Sequence, residues 1–204
     1  MITIIITGPS GSGKSYLANK LSKLFKDSIV IKTDSYYRDN LLIKILSILK
    51  SDIYDRTLSI KINEIKRDIK SLYKKVKFIS FSKYNFKKKK SSKSSVLINY
   101  SCNKQFLIVE GVFSHCLDLD YQNSINIVCK EDKDICYKRR LLRDQLERGR
   151  KTTEINKKFN NSWYLFYKNI KIFLKSYKVI TLNPADDLTY EKLLRELKHI
   201  KKNN

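Results

Sequence analysis

Gly8-Pro9-Ser10-Gly11-Ser12-Gly13-Lys14-Ser15 satisfies the pattern GxxxxGK[ST], and the chain on either side of it decides what the match means. Before it stands the β-branched run Met1 to Thr7. After it, between Tyr16 and Phe25, Leu17, Leu21, Leu24 and Phe25 recur at helical spacing. Strand, glycine-rich loop and helix in that order build a cradle for phosphate. The glycines let the backbone curl so that its N–H groups surround phosphate oxygens at a helix N-terminus. Lys14 adds a point charge to the β- and γ-phosphates, and the Ser15 hydroxyl is a ligand for Mg²⁺. Residues Gly8 to Tyr16 are therefore expected to hold the triphosphate of ATP, or of GTP as the alternative.

Working outward, Ser28 to Lys32 reads as a second strand. A polar turn from Thr33 to Asn40 follows, then a helix with Leu42, Ile45, Leu46 and Leu49 on one face. Between Ser51 and Tyr100 the pattern changes. Ile62, Ile65, Ile69 and Leu72 mark a helix, and the strands Val76 to Phe81 and Val96 to Tyr100 flank a loop rich in lysine and serine. That loop is either an inserted β-ribbon lid or a solvated excursion, because Lys87 to Lys90 repel one another. Gln105 to Val109 resumes as a buried strand ending at Glu110-Gly111. Ser124 to Cys129 is another strand, followed by a helix from Lys133 to Glu147. A long aromatic helix then sets Phe159, Trp163, Phe166, Ile170 and Leu174 on one face. Lys178 to Leu182 is a last strand, and Tyr190, Leu193, Leu194 and Leu197 line a closing helix. Alternating strands and helices imply a mostly parallel sheet covered on both faces, with ligands at the carboxyl ends of the strands.

The 204 residues suit a single α/β domain, and 42% hydrophobic residues with 11% aromatics supply its core. The apolar stretch Ile2 to Ile6 breaks at Gly8, short of the roughly 20 residues of a bilayer helix, so a soluble cytoplasmic protein without a membrane span is expected. Cys102, Cys116, Cys129 and Cys136 have no CxxC spacing and read as reduced thiols. The formal charge of +23 invites a nucleic-acid partner. The lysines are dispersed, however, and lysine, isoleucine and asparagine are abundant together, a bias of composition more than of surface.

Three places carry chemistry besides the loop. Asp34 lies just past the second strand in Thr33-Asp-Ser-Tyr-Tyr-Arg38, where it reads as a general base near the γ-phosphate, or as a turn residue or cap. Glu110 closes the apolar run Phe106-Leu-Ile-Val-Glu-Gly111. A carboxylate ending a buried strand has the form of a Walker B group in the magnesium shell, since without a partner its burial is unfavourable. Arg139, Arg140, Arg143, Arg148 and Arg150 fall within twelve residues, beside Gly149. They suit a lid closing on transferring phosphate, or a salt-bridged helix face in which Arg140 pairs with Asp144 and Arg143 with Glu147.

Taken together, the loop, the DSYYRD stretch, the VEG strand end and the RRLLRDQLERGR helix resemble the uridine kinase family, relatives of phosphoribulokinase and pantothenate kinase. The resemblance implies a P-loop fold with a five-stranded parallel sheet, and a β-hairpin lid within an acceptor-binding insertion at about 51–103. It implies transfer of the γ-phosphate of ATP to a ribose 5′-hydroxyl. By position, Asp34 resembles the catalytic base, with Lys14 and Arg143 also catalytic. Ser15, Glu110 and Asp34 match the magnesium site, and Arg148 matches a lid residue on the phosphates. Arg140 resembles the arginine that holds ribose hydroxyls, and Arg150 one near the nucleoside. Asp55, in Ile53-Tyr-Asp-Arg56, is similar to an aspartate that fixes the ribose, without the histidine and proline that follow it in the family. Tyr84-Asn85-Phe86 resembles a Tyr-Asp-Phe motif whose tyrosine packs on the base. Where the family often carries a base-reading histidine five residues later, this chain has Lys89.

The expectation is Mg-ATP-dependent phosphorylation of uridine, with cytidine also open. The alternatives are a sugar-phosphate, pantothenate or nicotinamide riboside acceptor, or a nucleotide-dependent nucleic-acid-binding protein. A homo-oligomer is also open.

Overall fold

The computed structural model describes residues 1–49, 53–101 and 104–202. Five strands form one parallel sheet: β1 (Ile2–Thr7), β2 (Ile29–Lys32), β5 (Phe106–Glu110), β6 (Ile125–Cys129) and β7 (Val179–Leu182), in the order β2-β5-β1-β6-β7. A separate antiparallel hairpin pairs β3 (Phe78–Asn85) with β4 (Lys90–Leu97). The helices are α1 (Lys14–Leu24), α2 (Leu41–Leu49), α3 (Ile62–Tyr73), α4 (Lys133–Arg148), α5 (Thr152–Ser176) and α6 (Asp187–Lys202).

Strands β1 and β5 sit inside the sheet, so both of their faces are covered, which explains why their sequences are continuously apolar instead of alternating. Ile5, Leu107 and Val109 pack on one face with Ile65, Ile69 and Leu72 of α3 and Phe166, Ile170 and Phe173 of α5. Ile4, Ile6, Phe106 and Ile108 pack on the other with Leu17, Ala18 and Leu21 of α1 and Tyr190, Leu193, Leu194 and Leu197 of α6. Each such fully buried side chain contributes about 1.5–3 kcal/mol.

Two helix faces differ from expectation. Among the described side chains of α2 Ile43 is buried while Leu42 and Ile45 are exposed, and the Leu49 side chain lies outside the described residues. Asn40 Oδ1 accepts from the Ile43 N–H at the helix start, and in so apolar a run spacing alone did not mark Ile43 as the buried residue. In α5, Phe173 is buried and Leu174 is exposed, and it is Phe173 that makes ring contacts with Tyr121 and Tyr177.

The hairpin also corrects the expected strand limits. Lys87 to Lys89 fall in its turn, and Lys90 begins β4, so the lysine run is ordered backbone and not an excursion. Contacts from β4 to the rest of the chain hold the hairpin. Lys93 of β4 lies 3.0 Å from Glu64 of α3, and the Ser91 N–H donates to Asp39 at 2.9 Å.

Sheet register aligns the chemistry. Ile6 and Lys32 both pair with Glu110, and Thr7 pairs with Val128. The loops that leave β1, β2 and β5 therefore open at one edge, with β1 at the point where the strand order reverses.

Candidate active site

The loop after β1 closes tightly against its surroundings. A Cβ on Gly11, at φ 90°, would lie 2.3 Å from the Cys136 carbonyl oxygen, so only glycine fits there. Lys14 is buried, and its Nζ donates to the Pro9 carbonyl at 2.8 Å. Burial lowers the Lys14 pKa, while the charges of Glu110 and Asp34 act in the opposite sense and help keep its proton. Ser15 Oγ donates to Glu110 at 3.1 Å. Glu110 is itself pushed above the usual carboxylate range, first by burial and then by the charge of Asp34. These mutual influences place Lys14, Glu110 and Asp34 in one charged group. Asp34 stands in the 3-10 turn Thr33–Tyr36 that leaves β2, and its Oδ1 is buried with no hydrogen-bond partner.

Beyond Asp34 opens a cleft of about 450 Å³. Ser10 and Arg143 line it together with Tyr37, Tyr54, Tyr84 and Phe86. The aromatic rings hold one another: Tyr84 lies 5.5 Å from Tyr37 and 5.1 Å from Phe86, each between centroids. Burial raises the Tyr84 hydroxyl pKa, assisted by Tyr54, so it remains a neutral phenol. Lys89 sits at the hairpin turn in a left-handed conformation, φ 49°, and lines the same cleft.

The arginines converge on one buried anion. Asp144 is fully buried, and Arg143 and Arg150 each approach it at 2.8 Å, Arg148 at 3.4 Å and Arg140 at 3.7 Å. Arg143 also reaches Ser10 Oγ at 3.4 Å, and Arg148 stacks over the Phe86 ring at 3.9 Å. Burial, together with Arg143, pushes the Arg148 pKa down to about 10, which leaves it cationic at neutral pH. Arg140 donates to Ser162 Oγ of α5. The two sequence readings of this helix thus merge. The salt-bridged face exists, but it points into the cleft, and Arg143 pairs with Asp144 where Glu147 was expected.

Other expected residues fall elsewhere. Tyr16 is exposed on α1 beside Lys20. Arg139 turns to Glu131 and the Gly11 carbonyl. Asp55 ends the 3-10 turn Ile53–Asp55, and its side chain lies outside the described residues, as does Cys102. Cys116, Cys129 and Cys136 are free thiols. No described helix is long and apolar enough to cross a membrane. Sequence reasoning missed Tyr37 and His115 in the cleft wall, and it saw Asp144 only as half of a surface pair. Tyr37 lay inside the quoted DSYYRD stretch. Nothing in the sequence marked Asp144 as buried.

Comparison with known proteins bears directly on this geometry. The family model described as Phosphoribulokinase / Uridine kinase family matches residues 3–181. A uridine kinase of Clostridium novyi (strain NT) is 35% identical over 153 residues, 73% of this chain and 71% of the relative. Two solved structures share the fold: a possible uridine kinase from Bacillus stearothermophilus, at TM-score 0.57 and 14% identity, over 89% of this chain and 88% of that one; and a deoxyadenosine kinase from M. mycoides with bound dATP, at TM-score 0.54 and 12% identity, over 97% and 100%. With a phosphate loop at the edge of a five-stranded parallel sheet and a family match over most of its length, the chain is a P-loop phosphotransferase that belongs to the phosphoribulokinase and uridine kinase family.

Proposed function

We propose that this chain transfers the γ-phosphate of ATP to the ribose 5′-hydroxyl of uridine, with cytidine as a further acceptor, in the cytoplasm. The observation that carries the reading is a single cleft lined by Ser10 of the phosphate loop, by Asp34 and by an aromatic group that includes Tyr84 and Phe86 of the hairpin. A nucleoside kinase needs those three features in one cleft. The 35% identical uridine kinase supports the choice of acceptor.

In this reading the loop from Gly8 to Ser15 cradles the triphosphate, and its fit is supported by backbone space that a Cβ would fill. Ser15 and Glu110, within hydrogen-bond distance of each other, would hold magnesium together with Asp34, whose Oδ1 has no partner of its own. Magnesium would draw charge off the phosphate oxygens. Asp34 takes the proton of the acceptor hydroxyl, while Lys14, Arg143 and Arg148 stabilise the charge that develops on the phosphoryl group. Tyr84 packs on the base, Arg140 and Asp55 hold the ribose, Arg150 stands near the nucleoside, and Lys89 at the hairpin turn donates to a base carbonyl.

An acceptor screen with ATP and Mg²⁺ tests the reading, run across nucleosides, sugar phosphates and pantothenate. Uridine should stand first. Turnover of a sugar phosphate or pantothenate with no nucleoside reacting would move the assignment to another branch of the family.

A further inference from the structure

His115 is a cleft residue that the phosphoryl-transfer account leaves unused. It lies in the 3-10 turn Ser114–Cys116, five residues past Glu110, and only 8% of it is exposed. The rings of Phe166 and Phe173 stand edge-on to it at 5.4 and 6.0 Å and fix its plane. Its Nδ1 is 3.0 Å from Thr7 Oγ1, and that hydroxyl in turn is 3.3 Å from the Val112 carbonyl oxygen.

This short chain of contacts sets the tautomer. Val112 O only accepts, so it takes the Thr7 hydroxyl proton, and the Thr7 oxygen is then free to accept from Nδ1–H. The Nδ1–H tautomer satisfies all three atoms, and a direct hydrogen bond from the ring to Val112 O needs the same proton on Nδ1. Nε2 is left as a bare lone pair, and it is buried with no hydrogen-bond partner. Burial also pushes the His115 pKa down to about 4, so the ring stays neutral at physiological pH.

A buried acceptor without a partner is unfavourable unless a ligand supplies one. His115 lines the same cleft as Asp34, Tyr84 and Arg140. Elsewhere in the cleft lining the lysines and arginines offer donors alone, and Asp34 and Glu154 offer carboxyl oxygens. A neutral acceptor is the complement of a hydroxyl or an imide N–H, and it does not attract a cation as a carboxylate would.

We propose that His115 is a specificity-determining residue of the acceptor site, its Nε2 accepting a hydrogen bond from a sugar hydroxyl or a base N–H of the bound acceptor. The inference rests on the acceptor side proposed above, and it makes His115 a selector for molecules that carry such a donor.

The test compares wild type, His115→Phe and His115→Gln on uridine, 2′-deoxyuridine, 3′-deoxyuridine and 3-methyluridine. Phenylalanine keeps the ring packing and removes the acceptor, whereas glutamine returns an acceptor oxygen near Nε2. On uridine, His115→Phe should lose roughly tenfold in kcat/KM, mostly through KM, and His115→Gln should regain most of it. On the analogue lacking the partner donor, wild type and His115→Phe should differ by less than about twofold. A deoxy analogue in that role assigns the sugar, and 3-methyluridine assigns the base. An equal loss on all four acceptors, or uridine kinetics unchanged in His115→Phe, would reduce His115 to a packed core ring. If wild type phosphorylates no nucleoside, the proposed function fails separately. The same variants on the acceptor that does react, compared with its own donor-deleted analogue, then decide His115.

Discussion

Asp144→Asn isolates the group on which the arginine face depends. The change preserves shape and removes one charge, at a fully buried position with four guanidinium groups within 3.7 Å. Burial by itself pushes the Asp144 carboxyl up. The charges of Arg143 and Arg148, the hydrogen bond from Arg143 and the charge of Arg150 outweigh it and hold the group below its usual range. Removing one partner of a buried ionic cluster leaves the others uncompensated, at about 3–5 kcal/mol. For a chain of this length, about 2–4 °C of Tm accompanies each kcal/mol, so a fall of about 6–20 °C is expected. The assay is urea and thermal unfolding followed by circular dichroism, for both proteins, from pH 7 downward. Because the folded pKa is depressed, the stabilisation is fully present above the unfolded value of about 3.9 and is lost as pH falls through the lower folded value. The gap between wild type and variant should therefore be flat from pH 7 to about pH 5 and narrow only at lower pH. A loss under about 1 kcal/mol at pH 7, or a gap that widens on acidification, would refute Asp144 as the organising anion.

Four further outcomes rest on the same geometry. Lys14→Ala should weaken ATP binding and turnover together. Asp34→Asn should bind ATP nearly as wild type yet lose roughly 10³-fold in kcat, and wild-type turnover in that variant would remove Asp34 as the base. Gly111→Ala should destabilise by about 2–4 kcal/mol in denaturant unfolding, because φ is 151° and the new Cβ would lie 1.9 Å from Thr33 Oγ1; adding Thr33→Ala should recover part of that, and no recovery would place the strain elsewhere. His115 falls from its ordinary value of 6.5 to about 4, so wild type should lose about 3 kcal/mol between pH 6.5 and 4 that His115→Phe does not lose, and parallel stability curves would contradict its burial as a neutral ring.

Much of the fold was legible because parallel strands buried on two faces read as apolar runs and amphipathic helices read at 3.6 spacing. Ile2 to Thr7 and Phe106 to Glu110 are found where their composition placed them. The phosphate loop was legible for a different reason, since glycine, lysine and serine at fixed offsets are dictated by phosphate itself. What stayed hidden depended on tertiary context. The α2 run Leu41 to Leu49 is mostly apolar, so spacing alone pointed to the face of Leu42 and Ile45 where Ile43 is the residue that folding buries. The hairpin limits were obscured by the lysine run, because the contacts that hold β4, Lys93 to Glu64 and the Ser91 N–H to Asp39, are made with residues far away in sequence. Asp144 and His115 have ordinary sequence neighbours, and only folding surrounds one with arginines and leaves the other with an unpaired nitrogen in the cleft wall.

The central claim is that one cleft delivers phosphate from ATP to a nucleoside hydroxyl, and ³¹P NMR of the wild-type protein with Mg-ATP and uridine reads it directly. The predicted result is a new phosphomonoester signal coupled to the uridine 5′-methylene protons, growing in step with ADP and absent in Asp34→Asn. ADP formed with inorganic phosphate alone, or a phosphoester on another acceptor while uridine stays unmodified, would contradict it.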